Sequence, residues 1–131
     1  MSGRLHRYVS QRSTPRRLLV FFTLAQILIY YDRGLIAGFI SHIQEDFRIS
    51  DTLAGVLGSG FIFGFTVAAP VFAHLSKHYS PYKLMSIGLF IWCGACVLCG
   101  MSYEYWVLLL ARIITGVGEA SFAGTFVQLV L

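Results

Sequence analysis

The 131-residue chain is 56% hydrophobic and only 12% charged, with a formal net charge of +4. Soluble domains carry about 25% charged residues, so this composition excludes an ordinary soluble domain. P-loop, nucleophile-elbow and zinc-protease motifs do not occur, so the sequence offers no basis for an enzyme or for a bound cofactor. We predict an all-α membrane protein.

The first seventeen residues form a basic segment. They contain five arginines and no acidic residue. Such a segment is typical of a solvated, disordered tail, and it is compatible with some attraction to anionic lipid. We expect no nucleic-acid binding, because no folded basic domain follows. A signal or transit peptide is disfavoured, because no small-residue cleavage site follows the first apolar run and three more such runs come after it.

Four apolar segments follow the tail, and each has the roughly 20 residues needed to cross a bilayer. We therefore predict a transmembrane bundle over residues 18–131, with spans at about 18–40, 52–76, 84–101 and 105–131. The last span reaches Leu131 without a cap or a polar tail. We expect the chain to be the first part of a longer bundle, or a truncated copy of one.

Small residues indicate where the spans pack closely, because they let a neighbouring helix backbone approach. The clearest case is a repeat of small residues at every fourth position of span two. We assign helix packing to Gly34 and Gly38 in span one, Gly60, Gly64 and Ala68 in span two, and Gly116 and Ala120 in span four.

One cysteine pattern and one histidine pattern are weak indications of metal sites. Cys93, Cys96 and Cys99 drift around one apolar helix without a fourth ligand nearby, so we interpret them as small apolar residues. His74 and His78 lie four residues apart, but two ligands without a carboxylate are insufficient. We predict no metal site, and a solvated or lipid-headgroup position for the two histidines.

Charged residues interrupt two of the spans: Asp32 and Arg33 in span one, and Arg112 and Glu119 in span four. Seven residues separate Arg112 from Glu119, nearly two full turns, so both project from almost the same helix face. Ionisable groups within hydrocarbon are costly unless they face a bundle interior, a partner or a water-filled cavity. Span four is therefore predicted to line a polar pathway.

The loop charges predict the orientation. Basic residues concentrate in the tail and in the loop around residues 77–83, whereas residues 41–51 hold three acids and one arginine, and Glu104 is alone in the third turn. The positive-inside rule then places the N-terminus and the second loop in the cytosol.

This orientation also gives depths. Asp32 lies roughly 21 Å from the cytosolic end and Arg112 roughly 10 Å from the outer end. In a core about 30 Å thick these levels coincide, so we expect the two side chains to pair if spans one and four are adjacent.

Glu119 is expected to exchange protons, because an apolar surrounding favours the neutral form of a carboxyl group. A closed structural ion-pair network is the alternative.

Two of these stretches resemble a known family. Tyr30-Tyr31-Asp32-Arg33, and the run from Arg112 to Ser121, resemble the Spinster family of the major facilitator superfamily, and the similarity covers residues 18–131. The resemblance implies part of the N-terminal half of a twelve-helix secondary transporter, working by alternating access on lysophospholipid or sphingolipid-type substrates. It implies protonation at Asp32 and Glu119, and head-group and gating roles for Arg33 and Arg112.

The loop between spans two and three departs from the superfamily pattern. Members usually carry a G-x-L-x-D-R-like signature there, but this chain has Lys77 at the acidic position and His78 at the basic one. That acid normally helps to hold the cytosolic side closed. We expect Lys77, His78 and Lys83 to form a cytosolic gating loop of altered charge.

Three hypotheses for function follow. The first is part of a proton-linked transporter of lipid-like or amphipathic solutes, in the plasma membrane or an endolysosomal membrane. The second is a truncated, non-transporting protein that associates with or regulates a full-length relative. The third is a four-span protein that forms a pathway by oligomerising. The expected partners are membrane lipid, a small amphipathic substrate, protons, and either the remaining helices of a transporter or a homologous chain.

Overall fold

The computed structural model describes residues 15–130, and every regular element in that range is an α-helix. Side chains are described between residues 16 and 126, apart from residue 18. The helices are α1 (Pro15–Phe47), α2 (Asp51–Leu75), α3 (Pro81–Gly100) and α4 (Tyr105–Val130). Each contains a stretch long and apolar enough to cross a membrane. The prediction of an all-α membrane protein with four spanning helices is confirmed.

Helix α1 is longer than the span predicted from the sequence. It begins at Pro15, inside the segment assigned to the tail, and residues 1–14 lie outside the described part of the chain. It continues to Phe47, through most of the segment interpreted as a polar loop at residues 41–51. The extension has a physical reason: Ile40, Ile43 and Phe47 are spaced along one helix face and pack against a buried cluster. The polar residues between them are compatible with an exposed helix face.

Helix α1 ends in a left-handed cap. Arg48 has φ 50°, and the Ile49 N–H donates a hydrogen bond to the Gln44 carbonyl at 3.2 Å. This bond closes the last turn in the manner of a Schellman motif. Ser50 then caps α2, because its hydroxyl accepts from the Leu53 N–H at 3.5 Å. Only three residues therefore separate α1 from α2.

The contacts of the chain form two units, one ending at Phe39 and one starting at Ile40. In the second unit, α4 packs against both α2 and α3. Its first turn is fixed by Tyr105, whose hydroxyl donates to the Leu53 carbonyl of α2 at 2.7 Å. Tyr105 belongs to a buried cluster with Leu57 and Leu108. A second cluster joins α2, α3 and α4 further along, and consists of Ala68, Phe72, Leu84 and Ala120.

Candidate functional site

Glycines set the distance between α2 and α4. A Cβ atom added to Gly64 would collide with the backbone of Ile113, and one added to Gly116 would collide with the Phe61 carbonyl. At Gly60 an added Cβ would lie 2.8 Å from the Leu109 side chain. The structure therefore places Gly64 and Gly116 where the two helix backbones touch, and Gly60 where an α4 side chain packs onto the α2 backbone, as small residues in a membrane helix interface permit.

The predicted small-residue stripe continues to Ala68 and Ala120. Both side chains are buried, and both belong to the cluster that joins α2 to α4. Two glycines assigned to packing behave differently. A Cβ atom added to Gly34 or Gly38 of α1 would meet nothing within 4 Å in the described structure. Close packing at these two positions stays a prediction.

A second glycine crossing, not predicted from the sequence, joins α4 to α3. An added Cβ at Gly118 would lie 2.8 Å from the Trp92 backbone nitrogen, and one at Gly88 would overlap the Ser121 side chain. Trp92 also packs edge-on against Phe122, with ring centroids 6.3 Å apart. Gly116 and Gly118 thus face different helices. Their x-G-x-G-x pattern was the available signal, since residues two apart point to nearly opposite sides of a helix.

These two crossings leave α4 little freedom to rotate, and they fix the direction of its charged residues. Arg112 is buried, with 4% of its surface exposed. Its guanidinium carbon lies 5.0 Å from the centre of the Phe61 ring in α2, a cation–π geometry. Sequence reasoning missed Phe61, because aromatic residues are common in membrane helices. Its one distinguishing signal is its place beside Gly60 in the packing stripe.

Glu119 is the second buried charged residue of α4, with 1% of its surface exposed. The neighbouring buried hydroxyls are satisfied within the helix. Thr115 donates to the Ala111 carbonyl, Ser121 to Gly118 and Thr125 to Ser121, each at 2.8 Å. These hydroxyls therefore contribute local hydrogen bonds, whereas Arg112 and Glu119 bring ionisable groups into the buried part of the helix.

The charged residues of α1 lie in a more open setting. Asp32 is half-buried and Arg33 is exposed. The Arg33 guanidinium carbon lies 5.9 Å from the centre of the exposed Tyr30 ring. Pairing of Asp32 with Arg112 stays a prediction.

The three residues assigned to a gating loop are exposed. Lys77 and His78 lie in the turn after α2, and Lys83 lies in the first turn of α3. Ser76 anchors the turn, because it is buried and its hydroxyl donates to the Ala73 carbonyl at 2.9 Å. The rings of His74 and His78 lie 5.4 Å apart. The described residues contain no cluster of three or more His, Cys, Asp or Glu side chains suited to a metal ion. The gating role stays a prediction.

Residues 22–130 match the Major Facilitator Superfamily. The chain belongs to this superfamily. The membrane-length helices and the family together indicate a multi-pass membrane protein.

Curated relatives of this superfamily member carry the Spinster name. The chain is 39% identical to a probable sphingolipid transporter, spinster homolog 2, of Arabidopsis thaliana, across 83% of its own length and 26% of that protein. It is 32% identical to a sphingosine-1-phosphate transporter of Danio rerio, across 92% of its length and 24% of the relative. Spinster homolog 1 of Xenopus tropicalis is 36% identical, with 88% and 22% covered.

These comparisons confirm the resemblance to the Spinster family that the sequence indicated. The chain spans about a quarter of the length of the curated relatives it matches. The similarity therefore applies to a four-helix portion of those proteins.

Proposed function

We propose that the chain contributes four helices to a Spinster-like secondary transporter, which moves lipid-like or amphipathic solutes by alternating access and is linked to protons. One observation carries the proposal: Arg112 and Glu119 are both buried on one face of an apolar, membrane-length helix. A charged group inside a membrane is costly, and such groups mark substrate, ion and proton pathways.

The packing of α4 supports a functional interpretation of its charges. Much of its contact with α2 and α3 is made by glycines, alanines and apolar side chains, in addition to the hydrogen bond of Tyr105 and the ring contact of Arg112. Glycine crossings and apolar clusters of this kind can bring membrane helices together without buried ions. In this proposal Arg112 and Glu119 are therefore retained for binding and for proton transfer.

The roles follow from the chemistry of each group. A planar guanidinium presents a fork of donors that matches a phosphate or carboxylate group. We assign Arg112, with Arg33, to the head group of an amphipathic solute, and Glu119, with Asp32, to proton uptake and release. A sphingolipid-type substrate is favoured, because the Arabidopsis and zebrafish relatives are named for transport of such lipids.

Uptake by a chimera tests the proposal. This chain would replace the matching segment of the Arabidopsis spinster homolog 2, and vesicles carrying the chimera would receive radiolabelled sphingosine-1-phosphate under an imposed proton gradient. We expect uptake that falls when an ionophore collapses the gradient. Vesicles carrying the chimera with Arg112→Gln should lose uptake. Equal uptake with and without the gradient would contradict the proton linkage, and full uptake by Arg112→Gln would contradict the head-group role.

The proposal includes an orientation, with the N-terminus and the turn after α2 in the cytosol. Tyr103, which is 92% exposed between α3 and α4, and Tyr79, 57% exposed between α2 and α3, are suitable reporters. In a background with the three native cysteines replaced, an impermeant maleimide added outside intact cells should label Tyr103→Cys and miss Tyr79→Cys. The reverse pattern would invert the topology.

A further inference from the structure

The turn between α2 and α3 and the start of α3 form a strongly basic end of the second unit. Lys77 and Lys83 are exposed there, as is His78. The sequence contains no Asp or Glu between Asp51 and Glu104. No acid of α2 beyond its first residue, of the turn, or of α3 can therefore neutralise these lysines.

A shallow, open groove, lined by residues of α3 alone, begins at this end and runs along the helix. Its volume is about 400 Å³, and it is lined by Tyr82, Lys83, Ser86, Ile87 and Phe90. The polar lining residues come first in the helix and the apolar ones follow. Lys83 and Phe90 are seven residues apart, so they share one face and are separated by about 10 Å along the axis. Ile87 and Phe90 are 53% and 81% exposed, so the apolar part of the groove is open.

We propose that this groove binds an anionic phospholipid of the adjoining leaflet. The Lys83 ammonium contacts the phosphate, and an acyl chain lies along Ile87 and Phe90. A lysine at the end of a membrane helix can lay its methylene stem on apolar surface while its charge stays at head-group level. A cation close to the membrane surface is attracted to anionic lipids, and the charge of this end is complementary to them.

The arrangement favours a lipid over another protein helix as the occupant. A helix seated in the groove would have to supply an acid for Lys83 at the head-group level, whereas an anionic lipid brings its phosphate and its acyl chain in the order in which the groove presents them. None of the α4 residues whose side chains the structure describes lines the groove. The proposal therefore does not depend on transport through the charged face of α4.

Photolabelling of the chain in bilayer nanodiscs tests the head-group contact. The probes are phosphatidylglycerol and phosphatidylcholine, each with a diazirine in the acyl chain, and labelled peptides are mapped by mass spectrometry. We expect phosphatidylglycerol adducts within residues 82–90, and far fewer phosphatidylcholine adducts there. Lys83→Gln should reduce the phosphatidylglycerol adducts about five-fold, which corresponds to about 1 kcal/mol for one cation near the surface. Arg48→Gln removes an exposed cation outside the groove, and it should leave the labelling unchanged.

A second pair of variants tests the acyl-chain contact. Phe90→Ala should lower the labelling of residues 82–90, whereas Phe63→Ala, at a similarly exposed aromatic of α2 that does not line the groove, should not. Circular dichroism and gel filtration establish that each variant is folded. Three results would overturn the proposal: equal labelling by the two lipids, equal losses in Lys83→Gln and Arg48→Gln, or no lipid adducts in the groove because a second copy covers it.

Discussion

The charged residues predicted to lie within the membrane, two in α4 and two in α1, are in helices that differ in burial. In α4, Arg112 and Glu119 are both buried, and 61% of the residues in the helix's most apolar stretch are buried as well. In α1 the corresponding share is 11%, Asp32 is half-buried, and the adjacent Arg33 is exposed. Arg112 and Glu119 are seven residues apart and therefore share one helix face. Asp32 and Arg33 are adjacent, so their side chains point about 100° apart around the helix.

The two helices differ in how firmly the surroundings of their charged side chains are held in position. A buried charge needs surroundings that are held in position, and α4 has them in its glycine crossings and in the Phe61 ring. In α1 the Arg33 guanidinium lies beside an exposed ring, and an added Cβ at Gly34 or Gly38 meets nothing within 4 Å in the described structure. Matching substitutions in α4 or its partners should therefore be more damaging than the same substitutions in α1.

The largest expected effect is at Gly64. Gly64→Leu would drive a side chain into the Ile113 backbone, which cannot move aside without separating α2 from α4. We expect a loss of about 3 kcal/mol or more, beyond the usual range for overpacking, measured as the free energy of unfolding in mixed detergent micelles. Gly58→Leu in α2 and Gly34→Leu in α1 are matched controls, because an added Cβ meets nothing within 4 Å at either position. Comparable losses of unfolding free energy at all three positions would contradict the claim that the close approach of α2 and α4 makes Gly64 more sensitive than the glycines of open surfaces.

A smaller effect is expected from the rings that contact the arginines. Phe61→Leu removes the buried ring beneath Arg112 and should lower the free energy of unfolding by about 2 kcal/mol, because a desolvated cation–π contact is stronger than an exposed one. Tyr30→Leu removes the exposed ring near Arg33 and should change it by less than about 1 kcal/mol. The same unfolding measurement checks both. An equal effect of the two substitutions would show that burial does not distinguish the arginines.

The smallest effect concerns a single hydrogen bond. Tyr105→Phe deletes the hydroxyl that donates to the Leu53 carbonyl, and should cost about 1 kcal/mol of unfolding free energy. Tyr31→Phe in α1 is the control, because Tyr31 is 64% exposed, and it should be neutral. A neutral Tyr105→Phe would mean that this bond does not hold the first turn of α4 to α2.

Much of the fold could be predicted from the sequence, because membrane-spanning helices are recognised by the length and the apolar composition of a segment. The extension of α1 to Phe47 could not, since the polar residues after Phe39 suit either a loop or an exposed helix face. The α3–α4 crossing was missed because Gly88 and Gly118 are thirty residues apart, and spacing along the chain does not identify a partner over that distance.

The candidate site divides in the same way. The shared face of Arg112 and Glu119 follows from helix geometry alone, and both side chains are buried in the structure. Phe61 could not be inferred, because its role depends on how α2 and α4 cross. The pairing of Asp32 with Arg112 rests on depth in the membrane and stays a prediction.

The pH dependence of uptake in Glu119→Gln tests the central claim most directly. The measurement uses the chimera in vesicles, over a range of external pH, with Glu104→Gln as the control at an exposed acid just before α4. We predict that Glu119→Gln folds, because glutamine keeps the shape of the side chain, and that its uptake no longer depends on pH. Glu104→Gln should keep the original profile. An unchanged pH profile in a folded Glu119→Gln protein would contradict the proton role, and would favour a closed structural network of charges.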